Sequence, residues 1–166
     1  MFLFQDWRGN RNNLKGRYVL VSFRLASFLE KHTILKIILF PFYLHYKIWI
    51  GWVMGIELQS KVELGENCRL YHGQGLVVNS KVKIGKNCIL RHNVTIGNKI
   101  KSNGEETDCP EIGNGCEIGA HSCIIGDIKI GNNVIVSSFT LVNKDVPNNV
   151  VIGGIPFKIL KDRSIE

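Results

Sequence analysis

The sequence predicts a mainly β protein, a three-sided parallel β-helix with a short helical segment ahead of it. Three observations carry that reading. Aliphatic residues recur every six positions, at Leu58, Leu64, Leu70 and Leu76, at Ile84, Leu90 and Ile96, and at Ile112, Ile118, Ile124, Ile130, Val136 and Val142. Glycine follows many of them, at Gly65, Gly85, Gly97, Gly113, Gly119 and Gly131. A second layer of small or apolar residues keeps the same phase, at Cys68, Ser80, Cys88, Val94, Cys116, Ser122, Val134, Thr140 and Val146. A period of six is neither helical nor a plain alternation. It describes a short flat segment and a tight corner, three of which close a coil of about eighteen residues. Stacked coils then share one continuous core.

The chain divides by composition. Residues 1–55 form an N-terminal helical segment, residues 56–150 the β-helix with a loop at 98–111, and residues 151–166 a tail. Residues 1–13 are polar and irregular, Leu14 to Lys31 are patterned as a helix, and Thr33 is placed to cap a second one. The run from Ile34 to Met54 is apolar and aromatic, but Lys36, His45 and Lys47 interrupt it and Pro41 would kink it. Helices packed on the solenoid or on a sister subunit are expected there; a helix lying on a membrane surface is the alternative, and a true span is disfavoured. Within the solenoid the spacing from Leu76 to Ile84 is eight, so two extra residues enter a corner, and the register breaks again over Asn98 to Glu111.

The formal charge of +7 is uneven, because residues 1–55 contribute +6 of it. A basic, apolar segment suits anionic lipid or an anionic polymer, and no nucleic-acid module is present. The five cysteines show no paired metal spacing. Cys68, Cys88 and Cys116 fall on the inward layer, where a thiol fills space. Reduced thiols fit the cytoplasm, and the basic apolar segment allows a place there at the inner face of the membrane.

Chemistry centres on the histidines. His72 and His92 are each third in a hexad that begins on an aliphatic residue, Leu70 and Leu90, and should stack on adjacent coils facing outward, about 4.8 Å apart along the axis. A catalytic zinc site usually takes three protein ligands, so no metal is expected. An imidazole is a competent general base near neutral pH if a partner orients it. Glu57, fifteen residues before His72, is the candidate partner.

Several stretches together resemble one family. Glu57-Leu58-Gln59, Leu70-Tyr71-His72-Gly73-Gln74-Gly75, Val94-Thr95-Ile96-Gly97, Ile112-Gly113-Asn114-Gly115 and Ile118-Gly119-Ala120 look like the serine acetyltransferase family of hexapeptide acyltransferases. Lys144-Asp145-Val146-Pro147 and Gly154-Ile155-Pro156-Phe157-Lys158 are similar to that family's coenzyme-binding end. The resemblance implies a left-handed β-helix, a homotrimer, and acetyl-CoA bound between neighbouring subunits. It implies His72 as the base, with Glu57 as its acid partner. Two departures stand out: Tyr71 replaces the acid that precedes the family's histidine, and Asp108-Cys109-Pro110 replaces its Arg-His-Pro. Those are the groups that hold serine's ammonium and carboxylate. With its shortened N-terminus and Leu90-to-Gly97 run, the chain looks more like the colanic acid and capsular polysaccharide O-acetyltransferases.

The expected reaction is acetyl transfer from acetyl-CoA to a sugar hydroxyl, with no metal. Backbone N–H groups at Gly97 or Asn98 are candidates for the oxyanion. Tyr71, Arg91, His92, Asp108 and Cys109 are candidates for acceptor binding, and Ala120, Gly154 and Lys158 for coenzyme contacts. Serine acetylation and a non-catalytic β-helix scaffold are the rival readings.

Overall fold

The computed structural model describes residues 2–164. Short parallel strands alternate around three faces. The first face holds Ile56–Leu58, Leu76–Val78, Thr95–Gly97, Cys123–Ile125 and Leu141–Val142. The second holds Glu63–Leu64, Lys83–Ile84, Glu111–Ile112 and Lys129–Ile130. The third holds Arg69–Leu70, Ile89–Leu90, Glu117–Ile118, Ile135–Val136 and Val150–Gly153. The chain then turns back, and Lys158–Asp162 pairs antiparallel with Val150–Gly153. The expected parallel β-solenoid is what forms. Its axis is filled by columns of one residue type repeated coil after coil, such as Leu64, Ile84, Ile112 and Ile130.

The register corrects one expectation. The extra residues are not between Leu76 and Ile84. Leu58 pairs with Val78 and Val78 with Ile96, so the inward column on the first face runs through Val78. Val82, not Ser80, is the fully buried residue of the second inward layer in that coil. The insertion lies one corner earlier. Tyr71 N–H donates to Leu90 O, and Asn93 N–H donates to Gln74 O. Tyr71 is therefore opposite Arg91 and Gly75 opposite Asn93. His72, Gly73 and Gln74 stand where the next coil has His92 alone.

Glycine is required in that bulge. Gly75 has φ +67, and a Cβ there would overlap Asn93 Oδ1. Gly73 has φ +78 and lies close against the Ile56 and Leu70 side chains.

The N-terminal segment closes the first coil. Helix α1, Leu14–Lys31, lays Val19, Leu20, Phe23 and Ala26 into the solenoid's core. An edge strand left open would expose unpaired N–H and C=O groups. Here side chains satisfy them. Asp6 accepts from Cys68 N–H at 2.9 Å, Asn10 accepts from Leu70 N–H and donates to Cys68 O, and Asn13 donates to Leu70 O at 2.6 Å. Arg24 donates to Leu64 O and Gly65 O, and its charge is matched by Asp6 at 2.8 Å in a buried pair. Asp6, Asn10 and Asn13, in the stretch read as irregular, thus supply much of the polar lid on the first coil.

Beyond α1 come α2 (Thr33–Ile38), α3 (Phe40–His45) and a π-helical turn, Tyr46–Val53. Thr33 is not a cap, since α2 takes His32 at that position without a side-chain hydrogen bond. Pro41 falls in the first turn of α3, where its missing N–H costs little. No helix among the described residues is long and apolar enough to cross a membrane.

Candidate active site

One corner of the solenoid, between the third and first faces, gathers the imidazoles. The His72 and His92 ring centroids are 5.7 Å apart and nearly perpendicular. His92 and His121 repeat that geometry at 5.2 Å, and His121 stacks on Phe139 at 4.6 Å. Four consecutive coils contribute one ring each. The spacing of His72 and His92 predicted the first contact. His121 and Phe139 were not assigned to the site. Their signal was present in the sequence as the corner position after the aliphatic residue, which Asn93, His121 and Phe139 occupy in turn.

The backbone at this corner is left-handed. φ is +68 at His72, +61 at His121 and +57 at Phe139. Such angles are uncommon for residues other than glycine and asparagine, and in a bulky residue they mark a constrained position. Asparagine takes the left-handed place at other corners, as at Asn67, Asn87 and Asn133, and at Asn93 in this one, whereas His72, His121 and Phe139 take it with larger side chains. The histidine corner is thus an exception to the fold's own habit, and strain of this kind clusters at sites of function.

Glu57 lies on the first strand of the first face, exposed, opposite Val77. The bulge reaches it closely, since Gly75 N–H donates to Gly55 O at 2.7 Å. However, among the described residues Glu57 makes no ion pair with His72, and the expected dyad is not closed. Tyr71 is half-buried with the Arg91 guanidinium 5.6 Å over its ring. Arg91 is also ion-paired with Glu117, so its charge is already matched. His92 Nδ1 is buried and unpartnered.

Ala120 and Gly154 belong to the same corner. Phe139 N–H donates to Ala120 O, and Gly154 N–H donates to Thr140 Oγ1 at 3.3 Å. Lys158 is exposed on the antiparallel strand opposite Gly153.

The remaining candidates are elsewhere. Gly97 and Asn98 lie at the far end of the strand Thr95–Gly97, four residues past Asn93, or roughly 13 Å at the usual strand rise. Gly97 is inside the ladder, its carbonyl accepting from Gly126 N–H. From that corner the expected loop projects as a small hairpin, with Ile100 opposite Glu106 and Thr107 N–H donating to Lys99 O. Asp108 is exposed at its base. Cys109, expected to line an acceptor pocket, is only 6% exposed in the single chain and packs in the hydrophobic core. Burial pushes its thiol up, and the Asn98 N–H that faces it only partly opposes that. A single chain therefore brings His72, His92, Tyr71, Arg91, Ala120 and Gly154 to one corner, and leaves Gly97, Asn98, Asp108 and Cys109 at the next.

No group of three or more potential metal ligands occurs among the described residues. A broad open groove of about 1020 Å³ runs along the second face, lined by Arg24, Lys61, Lys83, Lys86 and Glu111 among others. It lies on a different face from the imidazoles. Its charges largely satisfy one another, as in Lys83–Glu111 at 2.7 Å and Lys86–Glu66 at 2.8 Å.

Residues 109–144 match the family described as "Bacterial transferase hexapeptide (six repeats)". A protein of Escherichia coli (strain K12) named "Putative colanic acid biosynthesis acetyltransferase WcaB" is 33% identical over 92% of this chain and 94% of its own length. The chain belongs to the hexapeptide-repeat transferase family. Serine acetyltransferase 2 of Arabidopsis thaliana is 34% identical over 90% of the chain, but the match spans only 44% of that longer protein. Among solved structures, a serine acetyltransferase from Brucella abortus strain S19 in complex with coenzyme A superposes with a TM-score of 0.82 at 25% identity, covering 98% of this chain and 68% of that one. Soybean serine acetyltransferase complexed with serine gives 0.80 at 27% identity, covering 96% and 68%.

Proposed function

We propose that this hexapeptide-repeat acyltransferase moves the acetyl group of acetyl-CoA to a sugar hydroxyl in capsular or exopolysaccharide biosynthesis. The observation that carries the proposal is the bulged corner. It lifts an outward imidazole, His72, beside the ring of Tyr71 and a cluster of further imidazoles, with no carboxylate at the preceding position to bind an amino acid's ammonium. The near full-length match to WcaB supports the same choice.

In the proposed reaction His72 takes the proton of the acceptor hydroxyl. The oxygen attacks the thioester carbon, the carbon–sulfur bond breaks, and the imidazolium returns its proton to the leaving thiolate. Glu57 acts by rotating onto His72 when substrate fills the corner, which fixes the ring's tautomer and stabilises its cationic form. The N–H groups of Gly97 and Asn98 are too far from His72 within one chain, so the proposal draws them from a neighbouring copy in a trimer, with acetyl-CoA held between. Ala120, Gly154 and Lys158 would contact the coenzyme, and Arg91, His92 and Asp108 the acceptor. The setting is the cytoplasm, at the inner face of the membrane where lipid-carried glycans are assembled.

The serine acetyltransferase relatives keep a second reading alive, O-acetylation of free serine. Release of free thiol from acetyl-CoA, measured against serine, nucleotide sugars and capsular oligosaccharides, separates the two. Release that depends on a glycan is expected. Release that depends on serine alone, or on no acceptor in the panel, would overturn the proposal in favour of the amino acid or of a scaffold.

A further inference from the structure

The segment 33–53 is helical but covers little. Helices α2 and α3 contain no buried residue, and the π-helical turn buries only Tyr46 and Ile50. Three elements that pack on one another thus leave a continuous apolar surface, with Ile34 75%, Ile37 71% and Trp52 88% exposed and Ile38, Phe40, Phe42 and Val53 more than half so. Proteins in water rarely present so much apolar side chain on one patch without a partner for it. The wide turn of the π-helix contributes to this. Its inward side takes Tyr46 and Ile50, so Ile48, Trp49, Trp52 and Val53 are all left outside.

The charges within the segment have one sign, with Glu30 and Glu57 standing just outside it. From residue 31 to residue 56 there are three lysines, Lys31, Lys36 and Lys47, and neither aspartate nor glutamate. Lys36 is matched by Glu30 at 2.6 Å and lies 4.3 Å over the Tyr43 ring, whereas Lys31 and Lys47 are exposed and, among the described residues, make no ion pair, Lys47 lying 5.8 Å from the same ring. Tryptophan, phenylalanine and lysine together are the composition of a helix lying in a lipid headgroup layer.

We infer that this surface docks the protein on an anionic phospholipid bilayer, lying on it rather than crossing it. A second copy docked two-fold through this patch fits less well, because symmetric pairing would set Lys31 and Lys47 against their own counterparts. The helices are too short to span. The inference deepens the location in the proposed function and specifies the surface responsible. The π-helical turn ends at Val53 and Glu57 follows four residues later, while the His72 bulge bonds to Gly55 between them. The bilayer would therefore lie beside the first coil, where a lipid-linked acceptor could present its sugar to His72 without leaving the membrane.

The test uses the full chain and vesicles, with no acetyl-CoA, so that binding and catalysis fail independently. Co-sedimentation is measured with phosphatidylcholine vesicles with and without roughly 30 mol% phosphatidylglycerol, at low and high salt. Binding that needs the anionic lipid, weakens with salt and shifts tryptophan emission to the blue is expected. Trp52→Glu and the pair Lys31→Glu/Lys47→Glu should each weaken it roughly tenfold or more. All three positions are exposed, and unchanged thermal unfolding will show that the fold survives. No binding to the anionic vesicles, or equal binding by both variants, would overturn the inference. So would self-association of the parent chain that Trp52→Glu abolishes, with vesicles ignored, since the patch would then belong to a second copy.

Discussion

His72 and His92 meet edge to face, 5.7 Å between centroids, although they do not hold equivalent places in their coils. His92 is in regular register with Ala120, whereas His72 stands in a bulge where three residues oppose one. The bulge makes His72 different from every other corner residue. It detaches one imidazole from the ladder's spacing and sets it at the rim, next to the strand bearing Glu57.

The position of that bulge can be read from stability. Val82 is fully buried and Ser80 is not. Val82→Ala should cost about 2 kcal/mol, and Ser80→Ala no more than about 0.5 kcal/mol, by denaturant unfolding. The reverse order would return the insertion to the stretch between Leu76 and Ile84.

Closure of the first coil depends on Arg24. Arg24→Met leaves the Asp6 carboxylate buried without its cationic partner, Leu64 O without a donor, and Gly65 O with only the weak Cys68 thiol donor. A loss of about 3–5 kcal/mol is expected in equilibrium unfolding.

Much of this was legible in the sequence because burial inside a solenoid is periodic. The hexad specified three faces, and its phase put Cys68, Cys88 and Cys116 inside. Helix α1 was readable from Leu14 to Lys31 for the same reason: one face is apolar. The insertion was misplaced because Leu76 and Val78 are both buried aliphatics on one strand, so the period alone could not choose between them. The lid of Asp6, Asn10 and Asn13 was missed because polar residues that satisfy backbone groups leave no periodic trace. The separation of Gly97 from His72 is a matter of which corner a strand ends on, and motif resemblance carries no distance.

Phe139 holds a left-handed backbone angle, φ +57, with a bulky side chain, and its ring stacks on His121. Phe139→Asn should keep or raise the melting temperature, by up to about 1 kcal/mol in stability, because asparagine tolerates the left-handed angle. Acceptor KM should rise if the ring serves the site. A variant that is destabilised but kinetically unchanged would assign Phe139 to packing alone.

Cys109 should be a spectator. With its thiol buried and its acidity lowered by that burial, the reactive thiolate forms only at a pH above that of an exposed cysteine. Alkylation near neutral pH should therefore be slow, and Cys109→Ala should retain transfer within about threefold, which a thioester intermediate on this residue would not allow.

The most direct measurement is single-turnover thiol release from acetyl-CoA by His72→Ala in the presence of the glycan acceptor, with coenzyme affinity determined in parallel by calorimetry. A general base at this position predicts a fall of about 10²–10⁴-fold in rate with coenzyme affinity unchanged. Release within a few-fold of the parent enzyme would contradict it and move the search for the base to His92 or His121.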